Sequence, residues 1–148
     1  MSYKQKVWIE LESKQENEKV SHKMLGEWFV KDKAFYIKYT ERTDAGEIRH
    51  LLRYQPSELK ITRKGAIEAE QVFRVGQRWT GYYDNKMIKI AVEAFTYRLE
   101  IMNSSNQALL GLPSTLPFSL VWEYDLFVDD QSTGKFSIRL KLKEVNAS

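Results

Sequence analysis

Residues 61–90 read ITRKGAIEAEQVFRVGQRWTGYYDNKMIKI, and the order of residue types in this stretch decides the fold. Three breaks interrupt it: Lys64-Gly65, Gly76-Gln77 and Asp84-Asn85. Glycine supplies the positive φ that a tight reversal needs, and Asp or Asn tolerates it. Between the breaks apolar and polar residues alternate, the period of a strand with one dry and one wet face. A ribbon reversed every ten residues or so makes neighbouring antiparallel strands.

The same pattern extends in both directions. In KFSIRLKLKEV, Phe136, Ile138, Leu140 and Leu142 point one way while Lys135, Arg139, Lys141 and Lys143 point the other. In VWIELE, Val7, Ile9 and Leu11 face in and Glu10 and Glu12 face out, with Trp8 a misfit on the wet side. If these two strands are neighbours, their outer rows carry opposite charge and the sheet closes on itself. Further reversals are expected at Asp32-Lys33, Asp44 to Gly46 and Pro56-Ser57, with the last at Ser132 to Gly134. No segment holds a helical period over four turns. The expectation is an all-β fold: one domain over residues 1–148, an antiparallel meander closed into a barrel of about 8–10 strands, because closure removes exposed edges.

One segment is too long for a hairpin turn. Ser104 to Phe118 holds Leu109, Leu110, Leu112 and Leu116. Loops of this length are commonly functional or mobile. The reading adopted is a plug, with leucines covering one end of the barrel.

Composition narrows the function classes. The chain has 148 residues, 43% of them hydrophobic, a formal net charge of +3 and no cysteine. Disulfides and thiolate metal sites are thereby excluded. The mild charge does not by itself call for nucleic acid. The beginning, MSYKQKVWIELESK, lacks the apolar core of a secretory signal, so a cytoplasmic location is expected. The longest apolar runs fall far short of a membrane span, and no membrane partner is expected. Glycine-rich phosphate loops and the Gly-x-Ser-x-Gly elbow are missing. There are two histidines, His22 and His50, and no converging acid pair is visible. The expectation is a non-enzyme without cofactor or metal.

Two polar residues stand on otherwise apolar rows. His50 shares its phase with Ile48, Leu52 and Tyr54, and Gln71 shares its phase with Ile67, Ala69, Phe73 and Val75. An inward amide must find a partner, since leaving it unpaired costs roughly 1–3 kcal/mol. The two are expected to pair internally or to line a wet cavity. With Tyr39, Phe73, Trp122 and Tyr124 they form the candidate interior site for a small apolar or amphipathic ligand. Two carboxylates, Glu41 after YIKYT and Glu93 in IAVEAF, are weighed as an acid pair and show no convergence; Glu93 falls on an outer row and reads as solvated.

Two alternatives belong to other classes. Arg63, Arg74 and Arg78 near Trp79 form a candidate patch for RNA or single-stranded nucleic acid, where cations hold phosphates and rings stack on bases. Glu68 and Glu70 share a strand face with Arg74 and blunt that field, which makes nucleic acid the weaker partner. The other alternative is a protein-interaction module, self-associating as a homodimer through rings such as Trp8 or Phe127.

The stretch LKITRKGAIEAEQVFRVGQRWTGYYDN resembles the core of the YwiB-like family, bacterial proteins of unknown function. The resemblance is carried by Arg63 and Gly65, then Phe73 and Gly76, then Gly81 and Tyr83. Upstream, GEWFVKDKAFYIKYTE is similar to the family's Gly-aromatic hairpin, ending in Tyr39-x-Glu41; downstream, LVWEYDLFVDDQSTGKFSIRLKLKEV is similar to its closing hairpin. The resemblance implies a calycin-like, lipocalin-type barrel and implies no activity, catalytic residue or cofactor. The turn DNKMIKI departs from the family in lacking its Thr-Pro and Gly, and the Ser104–Phe118 loop looks peculiar to this chain.

Overall fold

A computed structural model describes residues 4–145. Ten strands follow one another: β1 Gln5–Gln15, β2 Glu18–Lys31, β3 Ala34–Thr43, β4 Gly46–Gln55, β5 Glu58–Gly65, β6 Glu68–Arg74, β7 Arg78–Asp84, β8 Lys89–Met102, β9 Phe118–Val128 and β10 Gln131–Glu144. Each pairs antiparallel with the next, and β1 pairs with β10, so the meander closes as a barrel.

The closing seam is built as the alternation requires. Ile9 lies opposite Leu142 and Leu11 opposite Leu140 on the inner face, while Glu10 faces Lys141 and Glu12 faces Arg139 outside. Lys143 Nζ lies 2.8 Å from Glu10 Oε2 and holds the Glu10 carboxyl below the usual carboxylate range. Trp8 stands outside, with Lys23 Nζ 4.6 Å from its ring centre.

One end of the barrel is filled. Phe118 stacks obliquely on Trp28 and meets Phe35 edge-on, with centroids 5.3 Å and 5.5 Å apart, and Phe35 stacks on Tyr54. The 103–117 loop crosses this end. Its Leu109, Leu112 and Leu116 pack on the core, and Leu109 N–H donates to Ile101 O at 2.8 Å. Leu110 is fully exposed and is no part of the plug. The opposite end carries only hairpin turns, at residues 16–17, 44–45, 66–67, 85–88 and 129–130.

One turn expectation and one inward position need correction. The last reversal is at Asp129-Asp130, both with positive φ, and Ser132 to Gly134 is a bulge inside β10. Two consecutive left-handed residues match the strand twist, and Asp tolerates that region without glycine. Val75 leaves the inward row of β6 and is exposed, because the chain there bridges to Thr96 and turns through Gly76.

The wall is not equally knitted everywhere. β2 and β3 pair only from Gly26↔Tyr39 to Lys31↔Ala34. Beyond Gly26, Glu18–Leu25 pairs with β1 alone, and Thr40–Thr43 pairs with β4 alone. Gly26 sits where the two strands part. A Cβ there would stand 2.5 Å from Ile9 Cδ1 and 2.6 Å from Lys38 O, so only glycine lets the three chains approach so closely.

A candidate ligand cavity at the unplugged end

Below the turns of the unplugged end the inward side chains leave a cavity of about 230 Å³. Its apolar wall includes Leu52, Ile61, Phe73, Trp122 and Phe136. Tyr39, Tyr124, Gln71 and Arg63 supply its polar groups. It adjoins a recess of about 440 Å³ at the gap between β2 and β3, and Leu11, Tyr39 and Arg63 line both.

Five of the six candidate interior residues, Tyr39, Gln71, Phe73, Trp122 and Tyr124, thus share one cavity. His50 stands beside it on the wall of the recess. The expected pairing of His50 with Gln71 does not occur. His50 Nε2 lies 2.9 Å from Glu41 Oε1, and Gln71 Oε1 accepts from Arg63 at 3.4 Å. The reason is register: His50 and Gln71 are two strands apart, with β5 between them carrying Arg63 opposite His50 and Ile61 opposite Gln71.

Burial governs the protonation of this group. It holds the His50 imidazole below its ordinary pKa of 6.5, although the Glu41 hydrogen bond pulls upward, and Arg63 adds to the depression. A neutral His50 donates from Nε2 to the carboxylate, which leaves Nδ1 a buried acceptor with no partner in the protein. Burial likewise raises the Tyr39 phenol and pushes Tyr124 up to about 12, in both cases against the pull of Arg63. Both phenols are therefore uncharged donors at neutral pH. The Trp122 indole N–H is also buried without a partner.

The four residues of the candidate nucleic-acid patch do not share one surface. Arg63 points into the barrel. Arg74 Nε donates to Glu58 Oε1 at 2.8 Å and lies over the Trp79 ring. Arg78 pairs with Glu93 and with Asp130 and covers Phe127. Cations already neutralised, on a ring already covered, offer little to a phosphate backbone. Among the described residues no three His, Asp or Glu side chains converge as a metal site would require. Nor is any helix long and apolar enough to cross a membrane.

Sequence reasoning missed Glu58 and the direction of Arg63, and it weighed Glu41 only as one half of an acid pair, not as the partner of His50. Signals existed for Glu41 and Arg63. Phe35, Ile37, Tyr39 and Glu41 are in phase along β3, and Leu59, Ile61 and Arg63 are in phase along β5. Glu58 at a turn showed none. Its carboxylate is buried and accepts from Arg74, from Gln55 at 2.7 Å and from Arg53 at 3.5 Å. Burial pulls its pKa up, but Arg74, Gln55 and Arg53 together hold it below the usual carboxylate value.

With this geometry in place, comparison with known proteins gives a family. The model for a domain of unknown function, DUF1934, matches residues 6–140. The chain belongs to that family. The DUF1934 match spans every strand, ending within β10. The ywiB protein from Bacillus subtilis, known from a crystal structure, is similar in three dimensions, with a TM-score of 0.77 over 98% of this chain and 94% of that one. At 14% identity that likeness carries the fold, a calycin-like barrel, and nothing finer. No curated protein sequence matches the chain.

Proposed function

We propose that this protein is a non-catalytic binding protein that takes a small amphipathic molecule into the unplugged end of its barrel. The observation that carries the reading is the division of the interior. Aromatic and leucine side chains fill one end, whereas the other keeps about 230 Å³ between an apolar wall and a few convergent polar groups. Barrels of this size are either filled by side chains or hold one small ligand, and a polar-tipped apolar cavity is the usual form of such a site. Parting of β2 from β3 beside the cavity gives a route inward that leaves the closing seam of β1 and β10 intact.

Native mass spectrometry of freshly purified protein tests the reading. The expected result is a non-covalent adduct that leaves on denaturation, or a thermal shift when short amphiphiles are added. A bare mass together with no shift across such amphiphiles would overturn it.

A further inference from the structure

Arg63 differs from most arginines of the chain. Arg42, Arg53, Arg74, Arg78 and Arg98 each pair with a carboxylate. Arg63 is half-buried, lines both the cavity and the recess, and has no such partner among the described residues. Its guanidinium makes one long hydrogen bond, 3.4 Å to Gln71 Oε1. A guanidinium carries five N–H donors in a planar fork, so most of this one's donor capacity is unspent.

The groups around it do not supply the missing negative charge. Tyr39 and Tyr124 are neutral phenols, and His50 is a neutral imidazole. The nearby carboxylate, Glu41, accepts from His50 and is half-exposed toward the rim. Lys23 and Arg42 also line the recess; Arg42 is paired with Glu47, so Lys23 and Arg63 face the single carboxylate of Glu41, a surplus of one positive charge. A charge removed from water without a counter-ion is costly, and a ligand that brings the counter-ion recovers that cost on binding.

We propose that the ligand of this cavity is a monocarboxylate, its head held by Arg63 and its tail lying among Phe73, Trp122 and Phe136. A carboxylate matches the guanidinium fork with two parallel hydrogen bonds. One cation inside the barrel balances one negative charge; a phosphate dianion would remain half-compensated. The phenols of Tyr39 and Tyr124, which line the cavity beside Arg63, are further donors suited to carboxylate oxygens. At about 30 Å³ per water-sized group, 230 Å³ takes a tail of roughly eight heavy atoms. This inference rests on the cavity reading given above and specifies its ligand.

Calorimetric titration of the full chain with octanoate and with octanamide separates the two claims. The amide keeps the length and shape of the acid and removes its charge. Octanoate is expected to bind at least about tenfold tighter, a difference of about 1.4 kcal/mol. Arg63→Met, which keeps the apolar stem, is expected to abolish that preference while octanamide binding persists. Equal binding of acid and amide by the unmodified chain would overturn the inference and leave the cavity reading standing. So would a preference that survives in Arg63→Met. Binding of neither probe would overturn both. The comparison in the unmodified chain decides the matter even if the variant does not fold.

Discussion

The Tyr39 ring lies flat against the His50 imidazole, with centroids 4.3 Å apart and planes inclined by 11°. The stack buries a titratable group between two strands, β3 and β4, at the point where β3 loses its partner β2. His50 is thereby kept from water on one side and tied to Glu41 on the other.

Protonating His50 should therefore cost stability. Its folded pKa lies below 6.5, so between that folded value and 6.5 the unfolded chain binds the proton that the folded chain refuses. The contribution is complete above about pH 6.5 and is lost as the pH falls through the range below it. Urea midpoints at about pH 7.5 and about pH 5.5 should differ, and His50→Gln, which keeps a donor for Glu41, should shrink the difference. An unchanged difference in the variant would assign the slope to other groups.

Glu58 should behave as a buried acceptor. Glu58→Gln cannot satisfy Arg74, Gln55 and Arg53 together, and a cost of about 1–3 kcal/mol is expected in chemical denaturation. Because its folded pKa is lowered, the unmodified chain should also lose this contribution as the pH falls below the ordinary carboxylate value of 4.5. The variant should lose less over that acidic interval.

The closing seam offers a contrast of magnitudes. Lys143→Ala removes an outer pair with Glu10 whose two side chains are 39% and 37% exposed, and should cost less than about 1 kcal/mol. Leu140→Ala, at a position 1% exposed, should cost about 2–5 kcal/mol. Equal effects would mean that charge rather than packing holds the ends of the chain together.

In the plug, Leu112→Ser should destabilise by about 1–2 kcal/mol, since it removes a contact with the core. Leu110→Ser should stay within about 0.5 kcal/mol, because that side chain touches nothing that folding buries. Thermal melts of the two variants measured together would show it.

At Gly26 the space for a side chain is absent. Gly26→Val should cost about 1–3 kcal/mol by overpacking, through Ile9 and the backbone of Lys38. A lowered urea midpoint with an unchanged slope is the expected signature.

Much of this architecture could be read from residue order. Period-two alternation in KFSIRLKLKEV and VWIELE placed β10 beside β1 with opposite charges outside, because a half-buried strand cannot hide which face is dry. The site was less legible for the same reason. Arg63 ends an apolar row, and a cation next to a Lys-Gly turn is naturally assigned to the surface. Its phase with Leu59 and Ile61 was a signal, but that a cation can stay on that row depends on the space left by Tyr124 and Phe136 on distant strands. Partners were similarly hidden. His50 and Gln71 share apolar rows, yet their bonds are set by the lateral register of three strands.

Nine of the ten lateral junctions join strands that follow directly in the chain; the tenth joins the first strand to the last. Hairpins can form as the polypeptide is made, but Leu11 cannot meet Leu140 until the tenth strand has been made. Up to that moment the nascent chain is a curled ribbon with two raw margins. It is then, before the tenth strand emerges, that the polypeptide is most open to capture by another ribbon.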